Sequence, residues 1–143
     1  MNSDVLQEAH YRSIKGIFKD TFDSTTCSLA DLNTSWLKRS KEESFGFFCA
    51  QSGELIGFMI TSYHPENKAN LYIDYIAFHS EWRGKGLGTL VLRDLLIQCK
   101  DQRRSVHLYP VNPIIAKWYK SLGFRETNKG YLNFHSYETR SFI

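Results

Sequence analysis

Between Leu71 and Lys100 the hydrophobic period of the chain changes once. Over residues 71–78 the side chains alternate. Leu71, Ile73, Tyr75 and Ala77 fall on one face, and Tyr72, Asp74, Ile76 and Phe78 on the other. β-branched and aromatic residues dominate, so the pattern predicts a buried strand. From Leu87 the period lengthens. Leu87, Leu90, Val91, Leu95 and Cys99 recur at three- and four-residue steps, which predicts an amphipathic helix. The change of period falls in Arg83-Gly84-Lys85-Gly86-Leu87-Gly88.

The same reading extends to the rest of the chain. Residues 5–9 predict a short first strand, and residues 11–22 a helix with Ile14, Ile17, Phe18 and Phe22 on one face. Ser28 is placed to cap a helix over 29–38, with Leu29, Leu32, Trp36 and Leu37 inward. Residues 44–51 and 54–64 read as strands joined by Ser52-Gly53, a hairpin signal. A polar loop follows over 65–69. After the long helix, residues 105–109 predict a strand that Pro110 ends. Asn112 and Pro113 then open a helix that Gly123 closes. Residues 124–128 and 131–142 flank Lys129-Gly130 as a closing hairpin. Mixed strands and helices predict an α/β or α+β fold, a sheet packed with helices.

Composition narrows the class. A chain of 143 residues suits a single domain over 1–143, and 42% apolar content suffices for a core. With 18 basic and 15 acidic residues the net charge is +3, far from the bias of a nucleic-acid binder. Cys27, Cys49 and Cys99 are odd in number and lack C-x-x-C spacing. Neither a disulfide framework nor a zinc site is indicated, and no metal is expected. Reduced thiols and the lack of an apolar leader or spanning run imply a cytoplasmic, intracellular protein without membrane partners.

The Arg83–Gly88 stretch has the physics of an anion site. Helix-opening N–H groups lack partners within the helix, and the positive end of the dipole lies there. Gly86 and Gly88 let a ligand approach the backbone, and Arg83 and Lys85 add positive charge. Two better-known loops fit poorly. The sixth position counted from Gly84 is Thr89 rather than the glycine of a dinucleotide loop, and Gly84-Lys85 precedes Gly86 rather than Ser or Thr.

Arg83-x-x-Gly86-x-Gly88, after a strand and opening a helix, resembles the (Gln/Arg)-x-x-Gly-x-(Gly/Ala) motif of the GNAT superfamily of N-acetyltransferases. Residues 112–124 resemble the family's N-x-x-A-x-x-x-Y-x-x-x-G-F signature, with Asn112, Ala116, Tyr119, Gly123 and Phe124 matching. The two segments cover residues 71–124. The resemblance implies a central mixed sheet of about six to seven strands, splayed between the strands before and after the long helix, with about four helices. It implies acetyl-CoA as cosubstrate, its pyrophosphate on the backbone from Arg83 through Gly84, Lys85, Gly86, Leu87 and Gly88 to Thr89. The pantetheine is expected along the edge at Ala77 and Phe78, and Asn112 is expected to contribute.

Acetyl transfer to an amine needs a proton acceptor, oxyanion donors and an acid for the leaving thiolate. Tyr119 matches the family tyrosine that protonates the thiolate; a phenol with a pKa of about 10 is protonated at neutral pH. For the base, three alternatives stand. His107 and Tyr72 match positions that, in some protein N-terminal acetyltransferases, order a proton-accepting water. Asp74 shares a face with Tyr72 and stands near where other members carry a Glu. Solvent alone is the third. The resemblance implies a primary amine as acceptor: a protein lysine or N-terminus, or a small amine such as a polyamine. The chain is expected to be a monomer or homodimer. A CoA-sensing domain without catalysis is the competing class, and retention of Tyr119 and His107 argues against it.

Overall fold

The structure is a computed structural model that describes residues 1–25, 27–64, 67–110, 112–127 and 132–135. Among the described residues there are four α-helices and seven strands, with hydrogen-bonded strand order β1-β2-β3-β4-β5-β7-β6. The elements are β1 (Asn2–Val5), α1 (Tyr11–Thr21), α2 (Leu29–Lys38), β2 (Phe45–Phe48), β3 (Leu55–His64), β4 (Asn67–Phe78), α3 (Leu87–Asp101), β5 (Ser105–Leu108), α4 (Pro113–Ser121), β6 (Arg125–Glu126) and β7 (Leu132–His135). Short 3-10 turns occupy Glu8–His10 and Ser80–Trp82. Parallel and antiparallel pairs both occur, so the sheet is mixed, as expected.

Two compact units divide the chain, with β3 and β4 each contributing to both. The first comprises residues 1–62 and 74–88. There β1 pairs antiparallel with β2, and β2 with β3. Helix α2 starts where its sequence dictates. Asp31 N–H donates to Ser28 Oγ at 3.1 Å, and Ser28 N–H donates to Asp31 Oδ2 at 3.0 Å, a reciprocal cap. Ile14, Ile17 and Phe18 of α1 and Leu32 and Trp36 of α2 pack with Leu6, Phe58, Ile60 and Ala77. Each such buried side chain contributes about 1.5–3 kcal/mol. Trp36 is core, as its spacing predicts; its indole donates to Glu8 Oε2 at 3.2 Å and the Arg39 guanidinium lies 3.7 Å over its ring.

The second unit comprises residues 63–73 and 89–143. The crossover through α3 brings β5 parallel to β4, with Asn70 opposite Ser105 and Ile73 opposite Leu108. β5 pairs antiparallel with β7, and β7 with β6. Val91, Leu92, Leu95, Leu96 and Cys99 form the buried stripe of α3.

Four expectations need correction. Leu90 is 53% exposed, because at roughly 100° per residue it falls opposite the stripe centred on Val91, Leu95 and Leu96. Leu37 and Leu29 are also exposed, the former at 73%; the inward face of α2 is set by Leu32 and Trp36 alone. The first strand is Asn2–Val5 rather than 5–9, since its register with Phe45–Phe48 outweighs weak local preference. Asn67 and its successors belong to β4 instead of a loop, because β4 is hydrogen-bonded between β3 and β5 and its strand extends through their polar composition. Pro65, Glu66, the turn at Lys129-Gly130 and the final residues of the predicted hairpin lie outside the described residues.

Gly57 holds the end of β4 in place. A Cβ there would stand 2.5 Å from the Phe78 ring and 3.0 Å from the Ala77 carbonyl oxygen. Phe78 itself stacks on Phe47, with centroids 5.4 Å apart. Gly57→Ala therefore forces this ring pair apart and is expected to cost about 1–3 kcal/mol by urea denaturation. An unchanged midpoint would show that the ring moves freely.

Candidate active site

β4 hands over to α3 through a 3-10 turn and the glycine stretch, all in the first unit as far as Gly88. Gly84 and Gly86 have φ of +74° and +77°, and a Cβ at either would meet nothing within 4 Å. The left-handed backbone favours glycine, and the open space leaves the main chain approachable. Helix α3 begins at Leu87, so its first N–H groups face out of this stretch without partners inside the helix. Gly86, Leu87 and Gly88 thus stand where an anionic group meets backbone donors and the helix dipole. The open positions at Gly84 and Gly86 are the feature by which the loop fits a pyrophosphate.

The two cations beside this loop differ. Lys85 Nζ lies 5.0 Å from the centroid of the Trp82 ring and Lys85 is exposed. Arg83 is committed to the protein. Its Nε donates to the Phe78 carbonyl at 2.9 Å and its Nη2 to Thr21 Oγ1 at 2.6 Å. Thr21 was invisible to local sequence reasoning, because it lies 62 residues away in the chain.

Strand β4 continues to Phe78, whereas its register with β5 ends at Ile73 opposite Leu108. Among the described residues no β5 partner is in register with Asp74–Phe78. Ala77 and Phe78 are buried by side chain and lie on this stretch. Tyr72 stands directly across from His107 in the register, with ring centroids 5.0 Å apart and planes at 27°. The family resemblance names these two positions together, and the β4–β5 register sets them face to face.

In the second unit Asn112 caps α4, its Oδ1 accepting from Ile115 N–H at 2.9 Å, with Pro113 as the first helical residue. Thr89 Oγ1 accepts from the Trp118 indole at 3.1 Å. Tyr119 is only 7% exposed, its ring set against Trp118 and Phe124. Its hydroxyl makes no hydrogen bond among the described residues. Burial raises its pKa above the ordinary phenol value, which keeps the proton on.

Asp74 lies in the first unit, half-buried. Ser62 Oγ donates to its Oδ1 at 3.1 Å, Ser35 adds a hydrogen bond, and the charge of Lys38 acts on it. Burial dominates and pushes its pKa up; the hydrogen bonds and Lys38 offset this only in part. On the other face Tyr75 meets Phe18 and Phe22 edge-on at 5.2 and 5.4 Å. Desolvation first, then Cys27, Asp31 and Asp74, push the Tyr75 phenol up to about 12. Ser35, Lys38 and Ser62 escape sequence reasoning, having no local spacing signal. Among the described residues no group of three His, Cys, Asp or Glu is placed to hold a metal, and no helix is long and apolar enough to cross a membrane.

Comparison with known proteins agrees with this geometry. Residues 11–124 match the model of the acetyltransferase (GNAT) family. A search of curated proteins gives no match. Among solved structures, the chain resembles a GNAT family N-acetyltransferase (YhbS) from Escherichia coli in complex with CoA, with a TM-score of 0.70, 15% identity and coverage of 94% of this chain and 81% of that one. It also resembles a spermidine N-acetyltransferase SpeG chimera from Vibrio cholerae and hSSAT (0.69, 16%, 96% and 98%). A third similar fold is the ribosomal-protein-S18-alanine N-acetyltransferase from Escherichia coli (0.67, 18%, 92% and 90%).

The Asp74 environment has a consequence for stability. With a folded pKa above the ordinary value of about 3.9, its contribution is full below that value and lost as pH rises through the folded pKa. Asp74→Asn removes this loss, so the variant should gain on wild type between about pH 3.5 and pH 7. Urea titrations at both pH values check it; a difference that stays constant would show that Ser62, Ser35 and Lys38 fully compensate the charge.

Proposed function

This chain belongs to the acetyltransferase (GNAT) family and is an N-acetyltransferase that uses acetyl-CoA; from that premise we propose that its acceptor is a primary amine, carried by a protein or by a small molecule. The similar folds include an enzyme named for spermidine and one named for an alanine of a ribosomal protein, and both kinds of acceptor present an amine. The observation that carries the proposal is the loop at Gly84 and Gly86, open where side chains would stand and leading into α3.

In this reading the backbone from Arg83 to Thr89 holds the pyrophosphate of acetyl-CoA, aided by Lys85. The β4 edge at Ala77 and Phe78 receives the pantetheine as an added strand. Bound there, acetyl-CoA supplies the acetyl group as a thioester. Asn112 supports the site by fixing the start of α4. His107, face to face with Tyr72, accepts the proton of the amine through an ordered water. Asp74 is the second candidate for that task; its raised pKa suits a base better than an ordinary carboxylate. Tyr119 holds its proton on the phenol oxygen throughout the neutral range and donates it to the leaving sulfur.

Gly86→Glu places a side chain and a negative charge in the open position. Calorimetry with CoA is expected to show affinity reduced by about 100-fold or more, or close to 3 kcal/mol. Wild-type affinity in a folded variant would remove the pyrophosphate from this loop.

For the chemistry, Tyr119→Phe is expected to lower kcat by about 10²–10⁴-fold with CoA affinity nearly unchanged. Because burial raises the Tyr119 pKa, its deprotonation should cause no alkaline fall in wild-type kcat below pH of about 10. His107→Ala should lower kcat/KM and shift the acidic limb of the pH–rate profile more than Asp74→Asn does. The reverse ranking transfers the base to Asp74, and wild-type kinetics in Tyr119→Phe leaves thiolate protonation to water.

A further inference from the structure

Arg83 is the charged member of the loop motif, yet its guanidinium points back into the protein. Nε donates to the carbonyl of Phe78, the last residue of β4, at 2.9 Å, and Nη2 donates to Thr21 Oγ1 at 2.6 Å. Thr21 is the last residue of α1, and its hydroxyl passes its own proton to the Ile17 carbonyl at 2.7 Å. A hydroxyl has one proton to give and lone pairs to accept with, so this arrangement has one direction: Arg83 to Thr21 to Ile17. The planar guanidinium holds its donors in a fixed fork, and displacement of one contact is transmitted to the other.

We propose that Arg83 is a positioning residue that ties the last turn of α1 to the cofactor loop, so that CoA at the loop orders α1. The inference rests on the reading of Arg83–Thr89 as the CoA site. The tie has three anchor points within the first unit: the β4 end, the loop and α1. Arg83 adjoins Gly84, whose φ of +74° and open surroundings leave the loop backbone little side-chain packing of its own. Contact with a pyrophosphate there restrains the residue that carries the fork. The restraint passes through Thr21 into the turn that carries Phe18 and Phe22, and these two rings close edge-on over Tyr75. Loop occupancy is thereby felt at a tyrosine that the loop sequence does not contain.

The test is amide hydrogen exchange of residues 18–22 with and without saturating CoA, for wild type, Thr21→Val and Thr21→Ser. CoA should slow exchange of these amides by about fivefold or more in wild type and in Thr21→Ser, which keeps the hydroxyl. In Thr21→Val the slowing should disappear while calorimetric CoA affinity stays within about threefold of wild type, a combination that a purely structural threonine does not produce. Equal slowing in Thr21→Val and wild type overturns the tie and leaves the CoA site standing. Failure of wild type to bind CoA overturns both. Should Thr21→Val not fold, Arg83→Lys decides by the same measurement: it keeps the charge and loses the fork, so retained slowing at saturating CoA overturns the proposal.

Discussion

A strand longer than its neighbour is the constraint on which the site depends. β4 runs twelve residues, and its parallel register with the four-residue β5 is spent by Ile73. Among the described residues Asp74–Phe78 has no β5 residue in register, and although the Phe78 carbonyl accepts from Arg83 Nε, such an edge is what an extended ligand would pair with. Pro110, two residues after Leu108, cannot donate to a ladder and helps end β5 early. Gly57 then lets the Phe78 ring lie close over the β3 backbone.

In the proposed site, attraction for an anion at the loop would come less from side-chain charge than the composition of the motif suggests. The guanidinium of Arg83 is occupied by a carbonyl and a hydroxyl. What remains is the set of helix-opening N–H groups, the α3 dipole and Lys85, whose ammonium lies beside the Trp82 ring. Backbone donors are fixed in place by the fold and require no reordering on binding, whereas a long lysine loses rotamer freedom. Glycine at 84 and 86 serves this arrangement by removing the side chains that would shield those donors.

Two ionisable groups of different kinds are displaced in the same direction by the same cause. Burial raises Asp74 and Tyr119, one a carboxyl and the other a phenol. For the phenol this secures the protonated form at neutral pH. For the carboxyl it strengthens proton affinity, which the hydrogen bonds from Ser62 and Ser35 offset only in part.

What the sequence determined by itself is what a few adjacent residues can settle. The Ser28 cap and the bounds of α2, the Gly53 turn with φ of +74°, the Asn112-Pro113 start of α4 and the glycine loop ahead of α3 all satisfy their hydrogen bonds or dihedral demands within a few positions. Strand alternation likewise put Tyr72 and Asp74 on one face, while the pairing of Tyr72 with His107 came from the family resemblance and its register from the structure. Tertiary structure decided the rest. Which stripe of α3 is buried, leaving Leu90 outside, depends on packing that apolar spacing alone leaves ambiguous. The Asp74 environment is assembled from Ser35, Lys38 and Ser62, and the partner of Arg83 is Thr21, 62 residues distant. Such pairs form only when separate elements meet, and no local pattern of residues encodes a meeting that distant chain segments must make together.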